Sequence, residues 1–280
     1  MGKKNILFLL VNYFNEKEVA EFGTSQLGKY LKGDVHIIIT DNGSKDAETL
    51  KQLAAKYENV TVVKPDKNLG YFGAANFGLS CYLIKNDDLP DAVIVCNTDI
   101  ELINTDFIGD LNKVMNEKQF DVMGPDIYST FMKYHQNPYI INRIGAEKMK
   151  LYKFVASNTL FYSMFTLLHL IKGKLFKSNT KSKVDKPLDT YAVHGSFMIF
   201  NKSYFDNGGI LNYPSFLFGE ELFVAELGLK LGLKTVYEPS LIVNHFQNST
   251  TGIFKTAKSV KFLHESYSYL LKTFFASEDK

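Results

Sequence analysis

Cysteine is scarce in this 280-residue chain, which contains only two, and tryptophan is absent. Cys81 and Cys96 both lie in apolar segments, with neither the spacing of metal ligands nor that of a disulfide framework. Two isolated thiols of this kind favour a reducing, cytoplasmic compartment. Neither sign of charge is in large excess, because the formal net charge is +2. The overall charge therefore predicts no nucleic-acid partner.

Long apolar runs are missing as well. The run over residues 6–11 is too short for a signal peptide, has no small-residue cleavage site after it and passes directly into a polar turn. A buried first strand explains it better. Low-complexity tracts are absent too, so the length predicts one large α/β domain, or a domain with a smaller appendage.

Strand and helix signals alternate along the first third of the chain. Apolar runs predict strands over residues 6–11, 35–40, 60–63 and 92–96, and helical spacing predicts helices over 19–31, 46–57 and 72–84. This alternation predicts a mostly parallel sheet with helices on both faces, which binds ligands beyond the carboxyl ends of its strands. Asn12, Asp41 and Asp99 each follow a predicted strand, so we expect them to converge on one crevice.

The alternation stops after residue 128 and resumes late in the chain. Strand or helix signals return over residues 192–200, 220–231, 234–237 and 241–243. We therefore predict an α/β half over residues 1–128, an irregular or helical insertion over 129–190, a second half of the same domain over 191–250 and a C-terminal helix over 251–280.

Two acidic turns follow predicted strands. Asp99, in the turn Asn97-Thr98-Asp99, could hold a divalent cation, because Mg²⁺ or Mn²⁺ in phosphate sites is often bound by one or two carboxylates and phosphate oxygens. The alternative is a turn aspartate that accepts hydrogen bonds from local N–H groups. Asp41 could accept hydrogen bonds from a base or ribose, or could belong to a turn before a capped helix.

Three further features are individually weak. Residues 68–76 place two glycines and two alanines at the head of a helix, which suits either a phosphate or tight helix packing. Glu220 and Glu221 begin another helix, where a carboxylate either stabilises the helix dipole or acts as a general base on a hydroxyl. His245 follows an apolar strand and is a candidate metal ligand only if Asp99 is its neighbour.

The order of these segments resembles that of the family 2 inverting glycosyltransferases, which have the GT-A fold. The similarity runs through VNYFNEKEV, TDNGSKD, NLGYFGAANFG, CNTDIEL, HGSFMIF and FLFGEELFVAELGLKLGLKTVYEPSLIVNHFQNST. NLGYFGAANFG resembles the rhamnosyl- and galactofuranosyltransferase-like branch in particular. The resemblance implies an α/β, Rossmann-like GT-A fold, in which helices flank a mixed, mostly parallel sheet, with a helical insertion and a C-terminal helix.

The resemblance also implies a role for each candidate residue. Glu221 falls on the catalytic base and Glu220 on the acidic residue before it, while Asp99 and His245 fall on the ligands of Mg²⁺ or Mn²⁺. The matches that fall on donor-binding positions are Asn12, Tyr13, Asp41, Asn68, Gly70, Tyr71, Asn76, Asn97 and Asp99.

Three positions depart from the family's pattern. Asn97 replaces the first acidic residue of the metal motif, the base is a glutamate where aspartate is common, and Phe223 replaces a further acidic residue. The tryptophan-containing motif of processive polysaccharide synthases is missing, which favours an enzyme that makes a single transfer.

The implied function is transfer of a sugar, with inversion, from a nucleotide-diphosphate sugar to a hydroxyl of a glycan or lipid-linked glycan in cell-surface polysaccharide assembly. The first half of the chain would bind the donor, and the second would bind the acceptor and carry the base. A non-catalytic sugar-nucleotide or glycan-binding module is an alternative, which Asn97 and Phe223 support. A nucleotidyltransferase is a second alternative, disfavoured because residues 12–19 contain neither glycine nor arginine.

The middle of the chain contains a stretch without fixed charge, residues 154–171, flanked by Lys150, Lys153, Lys172, Lys174 and Lys177. Polar residues interrupt the stretch, which argues against a membrane-spanning helix. We predict a cytoplasmic protein with peripheral membrane contact through residues 150–177. Packing of this segment on the core or on a second subunit is the alternative.

Overall fold

The computed structural model describes residues 4–31, 33–175, 182–246 and 256–276, and only the backbone of residues 169–175. Its first half follows the predicted alternation of strands and helices. The elements are β1 (Ile6–Asn12), α1 (Glu16–Glu21), β2 (Val35–Asp41), α2 (Ala47–Lys56), β3 (Val60–Val63), α3 (Tyr71–Lys85), β4 (Ala92–Cys96), β5 (Ile100–Leu102), α4 (Phe107–Glu117) and β6 (Val122–Ser129).

The second half contains the longest strand and the two longest helices. Its elements are β7 (Tyr134–His135), α5 (Ala146–Val155), α6 (Thr159–Leu175), β8 (Leu188–Asp189), β9 (Phe197–Asn201), α7 (Lys202–Asp206), α8 (Glu220–Leu231), β10 (Thr235–His245) and α9 (Ala257–Phe274). Among the described residues, no helix combines the length and the apolar character needed to cross a bilayer.

The strands form one mixed sheet in the order β3-β2-β1-β4-β9-β6-β10-β5, with β7 added to β6 and β8 to β10. β1 pairs in parallel with both β2 and β4, so the chain runs outward on one side of β1 and then returns to its other side. A parallel sheet opens a ligand crevice at such a reversal, beyond the carboxyl ends of the strands. The ends of β1 and β4 therefore define where a site is expected.

The central strand β1 is buried on both faces of the sheet. Ile6, Phe8 and Leu10 pack in one apolar cluster with residues of α1, α2 and α4. Leu7 and Leu9 point to the opposite face and pack with residues of α3 and α8. Since helices cover both faces, no position of β1 needs to be polar, which explains its uninterrupted apolar run.

The helix predicted over residues 19–31 is wrong in its extent. α1 ends at Glu21, and a π-helical turn follows at Phe22–Gln26. The turn buries Phe22 and lies so close to α2 that a Cβ on Gly23 would come within 2.9 Å of Leu53 Cδ2. Packing against α2 thus overrides the regular helical period.

The strands predicted over residues 234–237 and 241–243 are one strand, β10. Its pairing with β6 shifts register between Glu238 and Ile242, and Pro239, which has no N–H to donate, lies in this interval. The strand predicted over residues 192–200 begins only at Phe197, after a turn at Gly195 and Ser196. Both differences matter for the site, because β10 ends at His245 and the turn lies beside it.

Candidate active site

The first polar pair lies where β1 and β2 end side by side. Asn12 and Asp41 are the last residues of these strands and are paired in register. The buried Asn12 donates from Nδ2 to Asp41 Oδ1 at 2.9 Å, and Ser44 Oγ donates to Asp41 Oδ2 at 2.8 Å. The carboxylate is therefore held rigidly at the edge of the crevice, where it can accept hydrogen bonds from a ligand hydroxyl or base.

An exposed aromatic pair follows β1. Tyr13 and Phe14 are 56% and 49% exposed, and their ring centroids lie 4.5 Å apart. Phe14 has a φ of 58°, and its N–H donates to the carbonyl of Gly43 at 2.8 Å, which ties this turn to the one after β2. The two rings are inclined by 51°, so each presents its own exposed apolar face, on which a planar base can stack.

A network of asparagines holds the glycine-rich turn before α3. Asn42 Nδ2 donates to Asn68 Oδ1 at 2.7 Å and to the Gly70 carbonyl at 2.9 Å. Asn42 Oδ1 accepts from the Leu69 N–H at 2.7 Å. Gly70 has a φ of 76°, and a Cβ there would collide with the backbone of Phe216, so only glycine fits. Sequence reasoning identified Asn68 and Gly70 but missed Asn42.

Tyr71 and Asn76 lie on the first two turns of α3. The Tyr71 hydroxyl donates to the Gly195 carbonyl at 3.4 Å, and burial raises the Tyr71 pKa well above its usual value, so the hydroxyl stays protonated. Asn76 is half-buried, and the described hydrogen bonds do not join its side chain to the asparagine network. The structure therefore connects Tyr71, but not Asn76, with the rest of the site.

Asp99 and His245 are brought together by strand pairing. His245 ends β10, β5 begins directly after Asp99, and these strands are antiparallel with His245 opposite Ile100. Asp99 Oδ1 and His245 Nε2 lie 3.4 Å apart, with residue exposures of 7% and 5%. The half-buried Asn97 places its Nδ2 3.5 Å from the same imidazole nitrogen. The expected adjacency of Asp99 and His245 is thus present.

This pair could supply one carboxylate and one imidazole to a metal ion. Within the part of the chain that the structure describes, no three His, Cys, Asp or Glu side chains form a metal site by themselves. A divalent ion would therefore take its other ligands from phosphate oxygens and water, as Mg²⁺ and Mn²⁺ commonly do in phosphate sites. The donor set of Asp99 and His245 fits such a shared site.

The two glutamates at the start of α8 occupy different environments. Glu220 is buried, and its pKa is raised above the usual range first by burial and then by the charge of Glu221. Glu221 is half-buried, and its Oε1 accepts from the Gly195 N–H at 3.2 Å. Its charge is the largest cause of the raised pKa of Tyr139, which faces it from the segment after β7. Glu220 therefore retains its proton to a higher pH than an exposed glutamate does.

The turn at Gly195 and Ser196 connects the glutamates with the Asp99–His245 pair. The Gly195 N–H binds Glu221, and the Ser196 carbonyl accepts from the Asn97 N–H at 2.9 Å. A Cβ on Gly195 would come within 2.6 Å of Glu221 Oε1, so glycine is required for this approach. The segment HGSFMIF had been identified without a role for any single residue, and the glycine before its strand was the available signal.

An ion pair between Arg143 and the buried carboxylate of Glu226 ties the segment after β7 to α8. Glu226 is 3% exposed and accepts from Arg143 Nε at 2.8 Å and Nη2 at 2.7 Å, and from the Tyr191 hydroxyl at 2.6 Å. Sequence reasoning missed this cluster. The signals were present in the sequence: Arg143 is the only arginine in the chain, and Glu226 is the one acid in the otherwise apolar stretch over residues 222–229.

Comparison with known families identifies the architecture. The family described as "Glycosyl transferase family 2" matches residues 9–209, from β1 to just after α7. The chain belongs to glycosyl transferase family 2. The matched range of this family 2 protein includes Asn12, Asp41 and Asp99, whereas Glu221 and His245 lie beyond it.

A curated relative is the low-salt glycan biosynthesis hexosyltransferase Agl10 of Haloferax volcanii. It is 26% identical to this family 2 chain over 219 residues, which cover 78% of this chain and 59% of the relative. The chain thus spans about three fifths of the length of the curated relative that it matches.

Two solved glycosyltransferase structures share the fold. The crystal structure of GalNAc-T7 with UDP, GalNAc and Mn²⁺ has a TM-score of 0.58 and 12% identity, covering 98% of this chain and 49% of that one. The structure of S. aureus TarS 1–349 with UDP-GlcNAc has a TM-score of 0.54 and 12% identity, covering 97% of this chain and 71% of that one. The GT-A-like α/β fold implied by the sequence resemblance is confirmed.

Proposed function

We propose that this family 2 chain is an inverting, metal-dependent glycosyltransferase that moves a hexosyl or deoxyhexosyl group from a nucleotide-diphosphate sugar to an acceptor hydroxyl. The turn at Gly195 and Ser196 carries the proposal. Its backbone joins Glu221, a carboxylate that can accept a proton, to Asn97, which lies beside the Asp99–His245 pair. A base and a phosphate-binding metal site on opposite sides of one turn are what direct displacement at an anomeric carbon requires.

The donor is proposed to bind along the ends of β1, β2 and β4. Asp41 would accept hydrogen bonds from the ribose or base, because Asn12 and Ser44 already hold its carboxylate in place. The exposed Tyr13 ring would stack on the base. Gly70 directly precedes α3, and the N-terminal turn of this helix would favour the diphosphate.

Asp99 and His245 are proposed to hold Mg²⁺ or Mn²⁺. When bound, the ion would neutralise the charge that develops on the leaving diphosphate. Asn97, which stands where the family pattern described above has an acidic residue, leaves the net charge of the site less negative and keeps a side-chain amide 3.5 Å from His245 Nε2. The neighbour GalNAc-T7 was crystallised with UDP and Mn²⁺, which supports this assignment by analogy of fold.

Glu221 is proposed to remove the proton of the acceptor hydroxyl. Glu220 keeps its own proton because burial and the neighbouring charge raise its pKa, so the pair supplies one base. One base is sufficient, since the diphosphate leaves without the general acid that glycoside hydrolysis needs. The acceptor is proposed to be a glycan or lipid-linked glycan in cell-surface polysaccharide assembly, which the naming of Agl10 as a glycan-biosynthesis hexosyltransferase supports.

Peripheral membrane contact is proposed for the surface formed by α5 and α6. Its exposed apolar residues are Leu151, Phe154, Leu160, Phe161, Met164, Leu167 and Leu168. Lys150, Lys153 and Lys272 line a cavity of about 560 Å³ between α5 and α9 at the side of this surface. Lysines beside an apolar face suit an anionic bilayer surface. Lys172, Lys174 and Lys177, predicted to flank the segment, fall outside the described side chains.

The experiment that tests the function is a screen of nucleotide sugars with a metal ion and candidate acceptors. We expect metal-dependent release of nucleoside diphosphate from one donor, and a β-to-α or α-to-β change at the anomeric carbon in the product. Protection of the protein against unfolding by a donor, without release of diphosphate under any acceptor condition, would instead support a non-catalytic binding module.

A further inference from the structure

A buried glutamine contacts the outer nitrogen of His245. Gln136 follows β7, is 3% exposed, and places its Oε1 2.8 Å from His245 Nδ1. The Gln136 N–H donates to the Ile127 carbonyl of β6 at 2.7 Å. The side chain therefore starts from backbone anchored to the sheet, and its distance from His245 is determined by strand pairing.

The direction of this hydrogen bond determines the state of the imidazole. An amide oxygen only accepts, so this contact is a hydrogen bond when His245 Nδ1 carries the proton. In the neutral ring, the lone pair then lies on Nε2, which is the nitrogen 3.4 Å from Asp99 Oδ1. The opposite tautomer would direct an N–H at the same place and could not bind a cation.

We propose that Gln136 is a positioning residue, which selects the Nδ1–H tautomer of His245 and fixes the ring so that Nε2 can bind a divalent cation. This inference rests on the proposed function, in which Asp99 and His245 hold that cation. Outer hydrogen-bond partners of ligating histidines act in this way in metalloproteins, and their loss commonly lowers metal affinity about 10–100-fold.

The residue after Gln136 makes a separate set of contacts. The next residue, Asn137, is buried and accepts from the His194 N–H at 2.8 Å while donating to the Pro125 carbonyl at 2.9 Å. Gln136 therefore acts on the imidazole side of the site, and its neighbour acts on the backbone that leads to Gly195. A change confined to the Gln136 side-chain amide leaves the second contact in place.

The first experiment reads the tautomer directly. Long-range ¹H–¹⁵N NMR of the metal-free protein, labelled at its six histidines, assigns His245 by comparison with His245→Asn. We expect the Nδ1–H tautomer in the wild type and in Gln136→Glu, which keeps an acceptor oxygen. Gln136→Met keeps the volume and removes the acceptor, so the Nδ1–H signal should be lost, and Gln136→Ala serves as a second variant if Gln136→Met does not fold.

The second experiment measures Mn²⁺ affinity by electron paramagnetic resonance, with UDP, GDP and dTDP in turn. Gln136→Met should bind Mn²⁺ about 10–100-fold more weakly than the wild type, and Gln136→Glu should bind it similarly to the wild type. An Nε2–H tautomer in the wild type, or unchanged Mn²⁺ affinity in Gln136→Met, overturns the role of Gln136. If the wild type binds no Mn²⁺ with any of the three nucleotides, the proposed metal site is wrong. The NMR result still decides the tautomer in that case.

Discussion

Glu220 and Glu221 are adjacent in sequence and opposite in environment. Glu220 is buried, and Gly219 before it has a φ of 85° and lies close to Ser266 of α9. Glu221 points instead to the Gly195 N–H. The two carboxyl groups share a helix start and a repulsive interaction, but only Glu221 is half-exposed to the crevice.

We expect Glu221→Gln to lower turnover about 10²–10⁴-fold, because the amide cannot accept the acceptor's proton. Donor binding should stay nearly unchanged, since the side chain keeps its volume. Steady-state release of nucleoside diphosphate measures the first quantity and donor titration the second. Glu220→Gln is the matched control and should keep most of the activity. An inactive Glu220→Gln beside an active Glu221→Gln contradicts the assignment.

Asp99 is predicted to be the main protein ligand of the metal ion. Asp99→Asn keeps the shape of the side chain and removes its charge, so we expect turnover to be abolished and metal-dependent protection of the protein by a donor to disappear. Thermal unfolding with and without Mn²⁺ measures the protection. Glu101→Gln is the control, because it removes a nearby carboxylate charge that is not part of the Asp99–His245 pair. The Glu101 carboxylate accepts instead from Asn244 Nδ2 at 2.9 Å on the adjacent strand. Full wild-type activity in excess chelator contradicts the prediction.

At this scale, sequence reasoning succeeded where a polar residue directly follows a strand. Asp41, Asp99 and His245 were all recognised in this way, and the sheet brings them to one edge. Gln136 and Asn42 were not recognised, because their importance comes from a partner distant in sequence: His245 for Gln136, and the turn at Gly70 for Asn42. Only the tertiary register supplies these partners.

Among the elements, α8 depends on the Arg143–Glu226 pair. A carboxylate that is 3% exposed loses two charge-assisted hydrogen bonds when the arginine is removed. We expect Arg143→Met to destabilise the fold by about 3 kcal/mol, the lower end of the range for a broken buried pair, because the arginine side chain is 37% exposed. Urea unfolding measures this change.

The matched control for Arg143→Met is Lys51→Met, which breaks an exposed pair with Glu48 on α2. Its cost should not exceed about 1 kcal/mol. The double variant Arg143→Met with Glu226→Gln should be less destabilised than the sum of the single variants, since no buried charge is left uncompensated. Equal costs for Arg143→Met and Lys51→Met would contradict a structural role of the pair.

The α5–α6 surface gives a second prediction at the scale of elements. The purified protein should float with vesicles that contain anionic phosphatidylserine at low salt, and less so at high salt, because lysine contacts with the bilayer are screened. Leu160→Ser with Leu168→Ser should weaken flotation by removing exposed apolar area. The paired change Lys150→Glu and Lys153→Glu should weaken it further.

Lys51→Glu, on the exposed face of α2, is the charge control for flotation and should leave it unchanged. Absence of flotation at low salt contradicts membrane contact altogether. Flotation that is insensitive to both the leucine and the lysine changes contradicts this surface, and would leave packing against a second subunit as the better explanation of its apolar residues.

Regular elements were the easier part of the fold to predict. β3 and α8 begin and end as predicted, because a short β-branched run and a left-handed glycine at each end of the helix mark them locally. α1 was predicted too long, because the π-helical turn that ends it depends on contact with Leu53 of α2. β10 was predicted as two strands, because the sequence pattern breaks at Pro239. In the structure, pairing with β6 on both sides of this break makes it one strand.

In the whole molecule, the segments proposed to bind the donor and the acceptor are joined by direct backbone contacts. The turn before α3 is bonded to the segment before α8, where the Tyr71 N–H donates to the Phe216 carbonyl at 3.3 Å. The predicted division into residues 1–128, 129–190, 191–250 and 251–280 stays a prediction about organisation. The contacts around Gly70 and Gly195 indicate that exchanging the early or late part between relatives would disturb both binding surfaces at once.

The position of β10 in the sheet has a consequence for how the protein is made. β10 lies between β6 and β5, although both precede it by more than a hundred residues, and it carries His245 at its end. On the ribosome, the strands that hold Asp41 and Asp99 emerge first, and the imidazole emerges after them. A nascent chain can therefore build the strands proposed to bind the nucleotide while the Asp99–His245 pair is still incomplete, so under the proposed function catalytic competence arrives only after β10 has joined the sheet.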